Sequence, residues 1–117
     1  MQYLTFEQTI QKIRQSPLSL LYLSAPNCSV CHAVKPRVEQ LFLNNTLPMF
    51  ALDIAEAPEV AGTFQVMTAP AILIFYQGKE VHRQARFIDF ARLESFVTNY
   101  QQMKEVSDYT SLFEANT

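Results

Sequence analysis

The chain has 117 residues, 49% of them apolar, with 9 basic and 11 acidic side chains and a net charge of −2. That length suits one domain around a single core. The charges are scattered with no basic cluster, which gives nucleic-acid binding no electrostatic support, and no apolar run approaches the roughly 20 residues of a membrane helix. Where a secretory leader would be uninterruptedly apolar, the opening stretch carries Glu7 and polar residues, so a cytoplasmic location is expected.

Phe6, Ile10 and Ile13 recur at helical spacing, with Thr5 as N-cap and Gln8 three residues on in a capping-box pattern. Pro17 ends this helix. Leu18 to Ser24 is apolar nearly throughout, which suits a strand buried on both faces. Ala33, Val34, Val38, Leu41 and Phe42 then mark a second helix that stops at Asn44 and Asn45. Pro36 falls inside it, removes one backbone hydrogen bond and should kink its axis.

Leu47 to Ile54 reads as the next strand, and Ala57 to Phe64 as a short helix weakened by Gly62. Ala71 to Tyr76 is a strand, Gln77-Gly78 a tight turn, and Glu80 to Ala85 the returning strand. Asp89 caps a last helix that carries Phe90, Leu93, Phe96, Val97 and Tyr100 on one side. Strands joined through helices imply parallel pairing, and the hairpin adds an antiparallel edge. The fold class expected is an α/β sandwich with a mixed, roughly four-stranded sheet.

The two cysteines, Cys28 and Cys31, lie between the first long strand and the second helix. Three readings are open: a redox pair, half of a zinc site completed by another chain, or two inert structural residues. Zinc needs four ligands, and the sequence offers no second CxxC or His pair. A loop this short restricts the unfolded chain little, so a stapling role is weak. The first turn of a helix, by contrast, presents free N–H groups and the positive end of the dipole, which stabilise a thiolate. Cys28 at the opening gains most, and Cys31 lies one turn deeper beside it. Thiol–disulfide exchange is the chemistry this placement favours.

From about Leu4 to Tyr100 the sequence resembles the thioredoxin family. The resemblance is carried by "APNCSVCHAVKP", with Pro36 five residues after the second cysteine, by "LDI" at 52 to 54, by "FQVMTAPAILIFYQG", and by the last amphipathic helix. It implies a three-layer thioredoxin-like sandwich over residues 1–102, followed by a C-terminal extension over 103–117. It implies Cys28 as nucleophile and Cys31 as resolving cysteine, with their disulfide as the only redox group and no further cofactor or metal. It also implies that Pro70 is a cis-proline packed against the pair, and that Thr68 and Ala69 offer free backbone groups to an extended substrate segment.

Four positions around the pair are expected to tune it. Asn27 stands where the family has Trp, and Ser29-Val30 where it has Gly-Pro; Ser29 could donate a hydrogen bond to the Cys28 sulfur. His32 could add positive charge near the thiolate, although a solvent-facing role is the plainer expectation. The family's buried acid, six residues before the first cysteine, is Tyr22 here. Without that carboxylate, resolution of a mixed disulfide should be slower than in an archetypal thioredoxin. His82 is expected at the surface, Asp53 as a cap, and Phe64 and Met67 in the core or at its rim.

The implied partners are protein or low-molecular-weight disulfides as substrates and a reductase or low-molecular-weight thiol as electron donor, with no nucleic acid and no membrane. The chain is expected to be a monomer or weak dimer. Val106, Tyr109 and Phe113 could line an extra helix in the extension. An adaptor or redox sensor on the same fold, with little turnover, is the alternative function.

Overall fold

The computed structural model describes the backbone from Met1 to Ala115 and the side chains from Met1 to Gln102. In chain order the elements are β1 (Gln2–Tyr3), α1 (Phe6–Gln15), β2 (Leu18–Ser24), α2 (Ser29–Leu41), β3 (Met49–Asp53), α3 (Glu59–Phe64), β4 (Ala71–Tyr76), β5 (Lys79–Ala85) and α4 (Phe90–Ala115). Thr5 and Gln8 close the expected capping box, each side chain bonded to the other residue's backbone N–H. At the hairpin, Gln77 and Gly78 both have positive φ, 52° and 83°. That backbone matches the strand twist of a two-residue loop, and glycine reaches it without a Cβ penalty.

The sheet has five strands in the order β1-β3-β2-β4-β5, not roughly four. The added strand is β1, two residues that pair parallel with Phe50 and Ala51 of β3. The family resemblance leaves Met1 to Leu4 as a first strand either short or absent, and the structure has it short. A second correction concerns direction. β4 follows a helix, yet it runs antiparallel to β2 rather than extending the parallel set. A uniformly apolar strand such as Ala71–Tyr76 encodes burial, and nothing local in it encodes direction.

β2 lies in the middle, and its two faces separate two cores. Leu21 and Leu23 face Ile13, Val60, Phe64 and Phe75, under α1 and α3. Leu20 and Tyr22 face Val34, Val38, Leu93 and Val97, under α2 and α4. The result is the three-layer arrangement of helices, sheet and helices. Ala33, expected on the apolar face of α2, is exposed instead, since that face follows Val34 and Val38. α2 runs through Pro36 without a break. Arg37 sits over the Phe90 ring at 4.0 Å, which links α2 to the start of α4. Paired amides of Asn45 and Gln101 make a second link, at 2.7 and 3.2 Å.

α4 continues to Ala115, past Met103, the expected start of the extension. The side chains of Val106, Tyr109 and Phe113 lie outside the described residues. Among the described residues, no helix is long and apolar enough to cross a membrane.

Candidate active site at the β2–α2 junction

β2 ends at Ser24, and the chain turns through Ala25, Pro26 and Asn27 before α2 begins. Asn27 takes a left-handed backbone, φ 59°, a conformation that Asn tolerates better than most residues. Cys28 is the N-cap of α2, and its Sγ accepts the Cys31 N–H at 3.1 Å. The sulfur thus does the work that a Ser or Asp oxygen does at most helix starts. Cys28 and Cys31 are joined by a disulfide, with Cα atoms 5.2 Å apart. The two are unequal in access: Cys31 is 3% exposed, whereas Cys28 is half-buried.

Under this first turn lies Tyr22, 1% exposed at the heart of β2. Its hydroxyl donates to the Cys31 carbonyl at 2.6 Å. Burial, reinforced by the nearby Tyr3 phenol, pushes the Tyr22 pKa up to about 12. The phenol therefore keeps its proton at any physiological pH and directs it at the backbone.

Sheet register brings the distant segment to the same end. Leu23 pairs with Ala71, so Pro70 arrives where β2 gives way to the cysteine loop. The Ala69–Pro70 peptide bond is cis. Pro70 is buried, while Thr68 and Ala69 are half-buried. Asp53 joins this end through its pairing with Ser24, and its Oδ1 accepts the Ala55 N–H at 2.8 Å in a local turn.

The thioredoxin family model matches residues 1–99. The chain belongs to the thioredoxin family. It is 36% identical over 95 residues to the thioredoxin-like protein YdfQ of Bacillus subtilis, covering 80% of this chain and 84% of that one. It is 28% identical over 78 residues to a thioredoxin of the same species, covering 65% of this chain and 75% of that one. Among solved structures, an oxidised thioredoxin from Plasmodium falciparum superposes with a TM-score of 0.75 at 17% identity, covering 86% of this chain and 97% of that one. Thioredoxin 1 of Thermosipho africanus gives a TM-score of 0.68 at 23% identity, covering 74% of this chain and 98% of that one. These two likenesses speak to the thioredoxin fold alone.

Several residues sit differently from expectation. The hydrogen bond to the Cys28 sulfur comes from the Cys31 amide, not from Ser29, whose side chain is exposed beside those of Asn27, Val30 and His32. Met67 stands 88% exposed, neither core nor rim, whereas Phe64 is core. His82 is half-buried and stacks on Phe96 of α4 at 4.3 Å, because β5 passes directly against that helix.

Two features had no sequence signal. Arg83 of β5 donates to the carbonyls of Phe64 and, at 3.0 Å, Gln65, and so holds the end of α3 from which the Thr68–Pro70 segment departs. The Arg86 N–H donates to the Pro70 carbonyl at 2.8 Å, which leaves Phe87 at the same end of the sheet, 90% exposed. Among the described residues, no group of three or more His, Cys, Asp or Glu is arranged to hold a metal.

Proposed function

We propose that this chain is a cytoplasmic thiol–disulfide oxidoreductase that reduces protein or mixed disulfides by dithiol exchange. The observation that carries the reading is the unequal pair: Cys28 half-buried at a helix N-cap with a backbone N–H aimed at its sulfur, and Cys31 buried one turn on. The N–H and the helix dipole favour negative charge on Cys28, which makes it the nucleophile. Its thiolate attacks one sulfur of a substrate disulfide, forming a mixed disulfide and releasing one substrate thiolate. Cys31, as thiolate, then attacks Cys28 Sγ; the internal disulfide closes and the second substrate thiolate leaves. Two electrons pass to the substrate. A reductase or low-molecular-weight thiol returns them to the pair, and no other cofactor takes part.

Thr68 and Ala69, before the cis peptide bond, would pair with an extended substrate segment. The exposed Val30, Met67 and Phe87 side chains support protein segments as substrates, since each offers apolar surface to a partner. Asn27, Ser29 and His32 would modulate thiolate stability through their exposed positions beside the pair. The protein would act as a monomer or weak dimer.

One observation favours the adaptor reading. Tyr22 holds its proton where an ionisable acid would assist the second cysteine. The reduction potential of the pair in dithiothreitol buffers, with turnover of a protein disulfide in the same samples, separates the two. A reversible couple near the thioredoxin value of about −270 mV, with turnover, supports the reductase. A pair that does not cycle points to the adaptor.

A further inference from the structure

We infer that Tyr22 is a positioning residue for the second half of the exchange: through its hydrogen bond to the Cys31 carbonyl, it holds the first turn of α2 so that the Cys31 sulfur stays aligned on Cys28. The inference rests on the dithiol reading above and deepens it by separating the demands of its two steps.

Three observations lead to it. The hydroxyl is spent on a main-chain oxygen at 2.6 Å, so its effect reaches the sulfur only through the backbone of Cys31. Both ends of the bond are dry, with Tyr22 1% and Cys31 3% exposed, so water cannot readily replace the donor. The same residue, Cys31, gives its own N–H to Cys28 Sγ. One residue is therefore held on both sides, by a strand below and by the nucleophile above. Tyr22 is itself fixed in the central strand, paired with Ala51 on one side and Ile72 on the other. Its ring packs in a cluster whose buried members, such as Val34, Val38 and Leu93, are apolar.

The two steps differ in what they need from this arrangement. In the first, Cys28 meets a sulfur brought by the substrate, and the incoming group can adjust its approach. In the second, both sulfurs belong to the protein, and attack requires Cys31 Sγ, Cys28 Sγ and the leaving sulfur close to a line. Misplacement of a fixed attacking atom is costly in rate. The Tyr22 bond therefore bears chiefly on the second step, because the first asks only that the Cys31 N–H stay within reach of Cys28 Sγ.

The test uses an aromatic disulfide, 5,5′-dithiobis(2-nitrobenzoate), with the reduced full-length chain. Cys28 attack releases one coloured thiolate and leaves a mixed disulfide; Cys31 attack on Cys28 releases the second and closes the internal disulfide. Stopped-flow absorbance resolves the two releases. For Tyr22→Phe, which removes only the hydroxyl, the first phase should stay within twofold of wild type. The second should slow by about tenfold, the worth of one buried hydrogen bond. Unchanged phases in a folded variant, or both slowed equally, overturn the inference. If wild type itself lacks a second release, the dithiol reading fails, which is a distinct outcome.

A measurement on the unaltered chain covers the case in which the variant does not fold. In the reduced protein, the Tyr22 hydroxyl proton should give a slowly exchanging NMR signal with contacts to the first turn of α2. Its absence means the bond does not persist in the state that performs the second step, and that also overturns the inference.

Discussion

Tyr22 gives its one hydroxyl proton to the main-chain carbonyl of Cys31, nine residues further along and on the next element of the fold. The bond ties the floor of the site to its reactive turn, and it uses the phenol as a donor. Burial favours the neutral phenol, so ionisation of Tyr22 has to await a pH of about 12.

A tyrosine free in the unfolded chain ionises near pH 10. Between that value and about 12, unfolding releases the Tyr22 proton, so stability is full below pH 10 and declines as the pH rises toward 12. Absorbance titration of the tyrosines should include a late component near the upper value. Tyr22→Phe should remove that late component and leave the others. A titration in which every tyrosine of the wild type ionises near pH 10 would contradict the burial argument.

His82 predicts the opposite end of the pH scale. Burial, and then the Arg92 charge, hold its pKa below the ordinary 6.5. Its Nε2 also lies 3.1 Å from Gln84 Nε2, an amide donor, which suits a neutral acceptor ring. Gln84 Oε1 in turn takes the Asp89 N–H at 2.7 Å, so turning the amide around would break that bond. On acidification the unfolded chain takes up the His82 proton first. Stability contributed by the neutral ring is complete above pH 6.5 and is lost as the pH falls through the lower folded value. Thermal melts at pH 7.5 and 5.5 should show a larger acid-induced drop in Tm for wild type than for His82→Gln. Equal drops would mean that the ring is not held neutral by its surroundings.

Gly62 offers a stabilising substitution. It lies inside α3, and a Cβ added there would meet no atom within 4 Å. Alanine loses less backbone freedom on folding than glycine does, so Gly62→Ala should raise stability by about 0.5–1 kcal/mol. Urea denaturation would report this as a higher midpoint with unchanged slope. A lower midpoint would show that α3 needs the bare backbone for a reason other than space.

Local patterns in the sequence determined most of the elements. The capping box at Thr5 and Gln8, the doubly buried run Leu18–Ser24, the Gln77-Gly78 turn and the Asp89 cap all depend on neighbours within a few residues, and all are present. The cysteine pair was equally legible, because two sulfurs three positions apart at a strand-to-helix change need only local geometry to meet. Direction, register and pairing across the sheet were not legible. The antiparallel course of β4 and the roles of Arg83 and His82 depend on which element lies alongside, and no residue carries that information alone. Tyr22 shows the division within one side chain. Its place in a buried strand was written in the apolar run around it, whereas the partner of its hydroxyl was decided when α2 folded back over β2. A buried hydroxyl must find an acceptor, and only tertiary packing determines which one comes within reach.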